Sequence, residues 1–109
     1  MLAGGSLNAP ELIFVEATNI LRRMELSRQI TSAEANTAQD DLMLLHLESF
    51  PFEPFAERVW ELRHSVTSYD GWYVALAEGL GLPLATLDGR LGRARGPRCR
   101  FLMPSMSGA

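Results

Sequence analysis

The stretch that most limits how this chain can fold is residues 69–88, "YDGWYVALAEGLGLPLATLD". The run Trp72–Ala77 is apolar and long enough to predict a helix from about Asp70 to Leu80. Gly81, in "GLGLP", supplies the left-handed residue that closes such a helix. "PLATL" at 83–87 is short and apolar and reads as a buried strand. Strands separated by helices imply a mostly parallel sheet, so this stretch points to an α/β fold.

The rest of the chain agrees. "MLAGGSLNAP" reads as an irregular lead-in, with Pro10 suited to the start of a helix over 11–28. "TSAE" at 31–34 matches a capping box, and Ala35, Ala38, Leu42 and Leu45 then repeat at helical spacing, giving a second helix over 32–46. Leu47–Phe50 reads as a short strand. Pro54 opens a third helix with Phe55, Val59, Leu62 and Val66 on one face. Residues 88–94 form a short helix, "CRFLM" at 99–103 a last strand, and "PSMSGA" a loose tail. One domain over 1–103 and a tail over 104–109 are expected.

The chain has 109 residues, enough for a single core. It contains no run of eighteen apolar residues, so no membrane-spanning helix is expected, and its N-terminus lacks the pattern of a signal peptide. The lone Cys99 cannot form an internal disulfide. This fits a reducing cytoplasm, with Cys99 as a buried strand residue. Every basic residue other than the two histidines is arginine. Residues 1–88 carry five Arg against thirteen acids, whereas residues 89–109 carry five Arg and no acid. Such an end suits phosphate, an acidic partner, or simply solubility.

Three acids stand in distinctive contexts. Glu16 interrupts an apolar helix and forms a polar stripe with Asn19 and Arg23, which either ends in solvent or closes a Glu–Arg pair. Asp70 stands where a helix begins and reads either as its N-cap or as a ligand. Asp88 follows the strand "PLATL". Ligands bind beyond the carboxyl ends of parallel strands, although Asp88 can equally cap the next helix. Grouped carboxylates repel one another unless a cation neutralises them, and an oxygen-only donor set suits Mg2+ or Mn2+. His46 and His64 lack metal-ligand spacing and read as surface or boundary residues. No Gly-rich phosphate loop, nucleophile elbow or CxxC is present.

"APELIFVEATNILRR", "YDGWYVALAEGLGLPLATLDGRL" and the final "CRFLM" together resemble the PIN-domain toxins of VapBC toxin–antitoxin systems, over about residues 9–102. The resemblance implies a three-layer α/β/α sandwich with a mostly parallel sheet. It implies a Mg2+-dependent endoribonuclease, the toxin of a type II pair, blocked by a cognate VapB-like antitoxin. It further implies a homodimer that meets operator DNA only through the antitoxin. Glu16, Asp70 and Asp88 match the family's second, third and fourth acids and are the expected catalytic and metal-binding residues. Asn19, Thr86 and Arg90 are expected to support them, and Arg23 and Arg93 to contact RNA.

One departure matters. The family begins with a central strand ending in an aspartate, and this sequence has no Asp before residue 40. "MLAGGSLNAP" resembles the family's segment beyond that first strand and helix. The expectation is therefore a sheet with a gap in its middle, flanked by unpaired backbone. An incomplete piece of an active toxin is the favoured explanation, because three acids are intact. A gap filled by another polypeptide or a swapped copy is one alternative. The other is an inactive PIN-like remnant that serves as a binding or regulatory module.

Overall fold

Helix α4, Ser68–Leu80, is the element around which the core forms. In the computed structural model, which describes residues 2–3, 6–86 and 88–103, it is the fourth of five helices. These are α1 (Leu12–Leu26), α2 (Ser32–Met43), α3 (Ala56–Glu61), α4 and α5 (Gly89–Gly92). The strands are β1 (Leu2–Ala3), β2 (Ser6–Pro10), β3 (Leu47–Phe50), β4 (Leu84–Ala85) and β5 (Phe101–Leu102). Val74, Leu76 and Ala77 of α4 are fully buried, and Val74 and Ala77 form one cluster with Leu62, Leu84 and Leu91. Burying one such Val or Leu side chain stabilises the fold by about 1.5–3 kcal/mol. The helix ends at Gly81, whose φ of 67° is left-handed, as the sequence predicts. A Cβ on Gly71 would lie 3.2 Å from Val59 Cγ1, so this glycine lets α3 approach α4 closely.

The strands lie in two separate ladders, ordered β1-β2-β3 and β4-β5. Both α-connected pairings are parallel: β2 with β3, in register from Leu7↔Leu47 to Pro10↔Phe50, and β4 with β5. β1 folds back antiparallel on β2. No hydrogen bonds join β2 to β4, so the expected interruption of the sheet is present among the described residues. Helix α4 touches both β2 and β4 and so holds the two ladders in one body. The α/β class and mostly parallel pairing are as expected.

Several expectations need correction. Residues 6–10 are a strand, and Pro10 is its fully buried last residue rather than the first of α1. α1 spans Leu12–Leu26. The third helix is split: a 3-10 turn over Glu53–Phe55 contains Pro54, α3 ends at Glu61, and Leu62 and Val66 lie beyond it. β4 and β5 are two residues each, shorter than 83–87 and 99–103, and Leu87 and the 104–109 tail fall outside the described residues. Cys99 is half-buried just before β5, not inside a strand.

The two halves of the molecule are packed differently. α1 contains no buried residue, and Val15, Ile20 and Leu26 are exposed. It rests on α2 and β2. The C-terminal half is clasped by Arg58, which donates from Nε to Glu78 Oε1 (2.7 Å), and from Nη2 to Glu78 Oε2 (3.1 Å) and the Gly96 carbonyl (2.8 Å). The Arg98 backbone N–H also donates to Glu78 Oε2, at 2.6 Å. One arginine thus fastens α3, α4 and the 96–98 turn.

Candidate functional site

Asp70 is not the N-cap of α4. Thr67 is, its hydroxyl accepting from the Asp70 backbone N–H at 3.1 Å, and Asp70 lies one turn in. Its carboxylate is therefore free of the capping duty that sequence reasoning offered it. Partial burial pushes its carboxyl above the ordinary range, and the Asp88 charge raises it further. The Thr67 hydroxyl opposes this, Glu16 adds to it, and Arg90 opposes it. A carboxylate that other acids make harder to ionise is what a cation site looks like before the cation is counted.

Asp88 does cap a helix. Its Oδ1 accepts from the Arg90 N–H at 2.9 Å at the start of α5, and its own N–H donates to Thr86 Oγ1 at 3.0 Å. Arg90 Nε lies 3.8 Å from the same Oδ1. Oδ1 is thus engaged by the protein, and Oδ2 is not in any of these bonds. Capping and ligand readings of Asp88 need not compete. Asp70, Asp88 and Arg90 line a cavity of about 280 Å3 together with Ser65 and Thr67.

Glu16, on α1, does not line this cavity and is tied to α4 instead. Tyr73 Oη donates to Glu16 Oε1, in a partly buried bond that joins α1 to α4. Tyr73 follows Asp70 by three residues, so both lie on one face of α4. The expected Glu16–Arg23 pair is not formed among the described residues. Asn19 and Arg23 are exposed on α1 and bond to none of the acids. Thr86 and Arg90 are both hydrogen-bonded to Asp88. Arg93 folds over the first turn of α5, its Nη1 3.0 Å from where a Gly89 Cβ would stand. Tyr73 and Thr67 were missed from sequence. The Thr67-x-x-Asp70 spacing did carry a capping signal, and Tyr73 was readable only as a face-mate of Asp70.

All the donors here are carboxylate or hydroxyl oxygens, the chemistry of hard divalent cations. Among the described residues, no three of the His, Cys, Asp and Glu side chains stand close enough together to enclose an ion. Mg2+ is commonly held by one or two carboxylates and keeps several waters, so the Asp70–Asp88 pair facing one cavity fits it. Glu16 stands at the margin, within electrostatic reach of Asp70.

Comparison with known proteins gives the family. Residues 2–97 match the PIN domain family. The chain is 45% identical over 95 residues to Ribonuclease VapC1 of Mycobacterium tuberculosis, covering 86% of this chain and 71% of that protein. It is 38% identical over 95 residues to Ribonuclease VapC12 of the same organism, covering 87% and 74%. It is 32% identical over 99 residues to VapC ribonuclease Mb0985 of Mycobacterium bovis, covering 91% and 78%.

Proposed function

The chain belongs to the PIN-domain family, and we propose that it is an endoribonuclease, the toxin of a type II toxin–antitoxin pair, with Asp70 and Asp88 at its centre and Glu16 beside them. The observation that carries this reading is the state of Asp70. Burial of its carboxylate, which faces a cavity shared with Asp88, raises its carboxyl above the ordinary range; Asp88 and Glu16 raise it further, and the Thr67 hydroxyl and Arg90 only partly offset this. The relatives' names as ribonucleases give the substrate class.

In this reading Asp70 and Asp88 hold Mg2+, with Mn2+ an acceptable substitute, and Glu16 completes the acidic wall. The ion, when bound, supplies an activated water and neutralises charge developing on the scissile phosphate. The protein's own contribution is placement. Thr67 and Thr86 fix the backbone of Asp70 and Asp88, the α5 N-terminus holds Asp88 Oδ1, and Arg90 offers its guanidinium at the cavity mouth. Arg23 and Arg93, both exposed, are assigned to RNA phosphates. A VapB-like antitoxin, a homodimer, operator DNA met through the antitoxin, and a cytoplasmic location belong to the same proposal. No helix of the described residues is long and apolar enough to cross a membrane.

The test is RNA cleavage with Mg2+ by the wild-type chain and by Asp70→Asn and Asp88→Asn. Losing several kcal/mol of charge stabilisation predicts a rate loss of at least about 100-fold for each. Unchanged cleavage by both variants refutes the assignment. One observation favours a second reading, a binding module without catalysis: the absence, among the described residues, of three acids grouped tightly enough for an ion. That reading predicts no cleavage by the wild type and no Mn2+ affinity that depends on Asp70.

A further inference from the structure

We propose that Tyr69 is a stacking platform for RNA: its ring receives the base of a nucleotide flanking the phosphate to be cut. This role rests on the ribonuclease reading above and adds to it a contact that needs no metal ion.

Three aromatic side chains are exposed among the described residues: Phe52, Trp60 and Tyr69. Two of them have partners within the fold. Phe52 packs edge-on against Trp72, with ring centroids 5.2 Å apart, and the Arg63 guanidinium lies 4.3 Å from the centroid of the Trp60 ring. Tyr69 is 64% exposed and, among the described residues, has no ring or guanidinium stacked on it. A ring left in water to that extent contributes little to the core.

Its place in the chain matters. Thr67 and Asp70 both line the cavity shared with Asp88 and Arg90. Tyr69 stands between them, in the first turn of α4, without lining the cavity itself. It also precedes Tyr73 by one helical turn, so the two tyrosines share a face of α4. Tyr73 is turned to Glu16, whereas Tyr69, nearer the helix start, is left in water. An aromatic ring therefore neighbours Asp70 but stays outside the space for the reacting phosphate. The base of an adjacent nucleotide needs a surface of that kind.

The surroundings favour a nucleotide over a protein surface. Thr67, Ser68 and Asp70 around the ring are polar, and Asp88 and Arg90 lie at the same cavity. Protein interfaces gather apolar residues at their centre. The exposed aliphatic residues Val15, Ile20 and Leu26 are on α1 instead. A base needs only a π-face, and the phosphates beside it suit the Arg90 guanidinium.

The experiment uses the full chain in chelator, where metal-dependent cleavage is stopped. The probe is a short single-stranded oligoadenylate, labelled with fluorescein and followed by anisotropy. Stacking tolerates any base, so the natural cut sequence is not required. Tyr69→Ala is expected to weaken binding about tenfold, and Tyr69→Phe, which keeps the ring, to bind as the wild type does. Neither change is expected to alter binding of inorganic polyphosphate, which has the charge and no bases. Unchanged oligoadenylate binding by Tyr69→Ala overturns the proposal, and is the result expected if the ring serves a protein partner. An equal loss in Tyr69→Phe overturns it too, because the hydroxyl and not the ring would then be responsible. So does an equal loss of polyphosphate binding, or a Tyr69→Ala chain that fails to fold. If Tyr69→Ala binds as the wild type does while Asp70→Asn loses cleavage with Mg2+, only the role of Tyr69 falls. If the wild type neither binds oligoadenylate nor cleaves RNA, the ribonuclease reading falls and takes this role with it.

Discussion

Helix α4 carries a carboxylate near each end, and their surroundings are opposite. Glu78, near the C-terminus, is partly buried, which by itself raises its carboxyl. The Arg58 guanidinium and the Arg98 N–H outweigh that and hold it below the ordinary range. Asp70, near the N-terminus, is also partly buried, but it has a threonine hydroxyl where Glu78 has an arginine, and acids where Glu78 has donors. One helix thus contains a satisfied structural acid and an unsatisfied one about two turns apart. In the proposed function the contrast separates a residue that builds the fold from one kept for a ligand, although both carry the same charge on the same helix.

The sharpest way to break this comparison is at Arg58. Arg58→Ala strips Glu78 of two charge-assisted bonds and frees the Gly96 carbonyl. The two side chains are 21% and 14% exposed, so the cost lies below that of a fully buried pair, at about 2–3 kcal/mol. For a domain of this size that is a drop in Tm of about 10–20 °C. Adding Glu78→Gln is expected to recover part of it by removing the stranded charge. If Arg58→Ala costs less than about 0.5 kcal/mol, the clasp is an ordinary surface ion pair.

The caps come next. Thr67→Ala removes the acceptor for the Asp70 N–H, and Thr31→Ala removes half of the capping box with Glu34, where the bonds are 3.1 and 2.8 Å. Each is expected to cost about 1 kcal/mol in chemical denaturation. Only Thr67→Ala is also expected to weaken Mn2+ binding, because only it lies beside the cavity. Equal effects on Mn2+ from both would mean that the metal response tracks global stability and not the site.

These particulars show how much could be read from sequence. The capping box at Thr31 and the stop at Gly81 were legible because each is settled within four residues. The start of α4 was misplaced by two residues because Thr67 and Asp70 are both good capping residues, and spacing alone does not rank them. β2 was illegible: "SLNAP" has an Asn, a Pro and no β-branched residue, and it is a strand because it pairs with β3, some forty positions away. The break in the sheet was legible through the family resemblance. Tyr73 was not, because its partner lies 57 residues away in sequence and only the packing of α1 on the rest brings them together.

The smallest effect bears most directly on Asp70. A folded carboxyl raised above its unfolded value means that the native state holds the proton more tightly than the unfolded chain. Stability then falls as pH rises from the usual Asp range through the folded value, and the deficit is fully present above that folded value. Glu78, with a lowered value, behaves the other way: its stabilisation is fully present above the unfolded value and is lost as pH falls through the folded one. In metal-free buffer at pH 7, Asp70→Asn is therefore expected to raise stability slightly, by less than about 1 kcal/mol after solvent screening, and Tm with it. The gain should shrink as pH is lowered toward 4 and disappear on adding Mg2+, which binds the wild type and stabilises it. An opposing effect exists, because a negative charge in the first turn of a helix is favoured by about 0.3–1 kcal/mol. The sign of the change in Tm decides between the two. A gain means that Asp70 is a site residue held at a cost to the fold, and a loss means that its charge serves the helix after all.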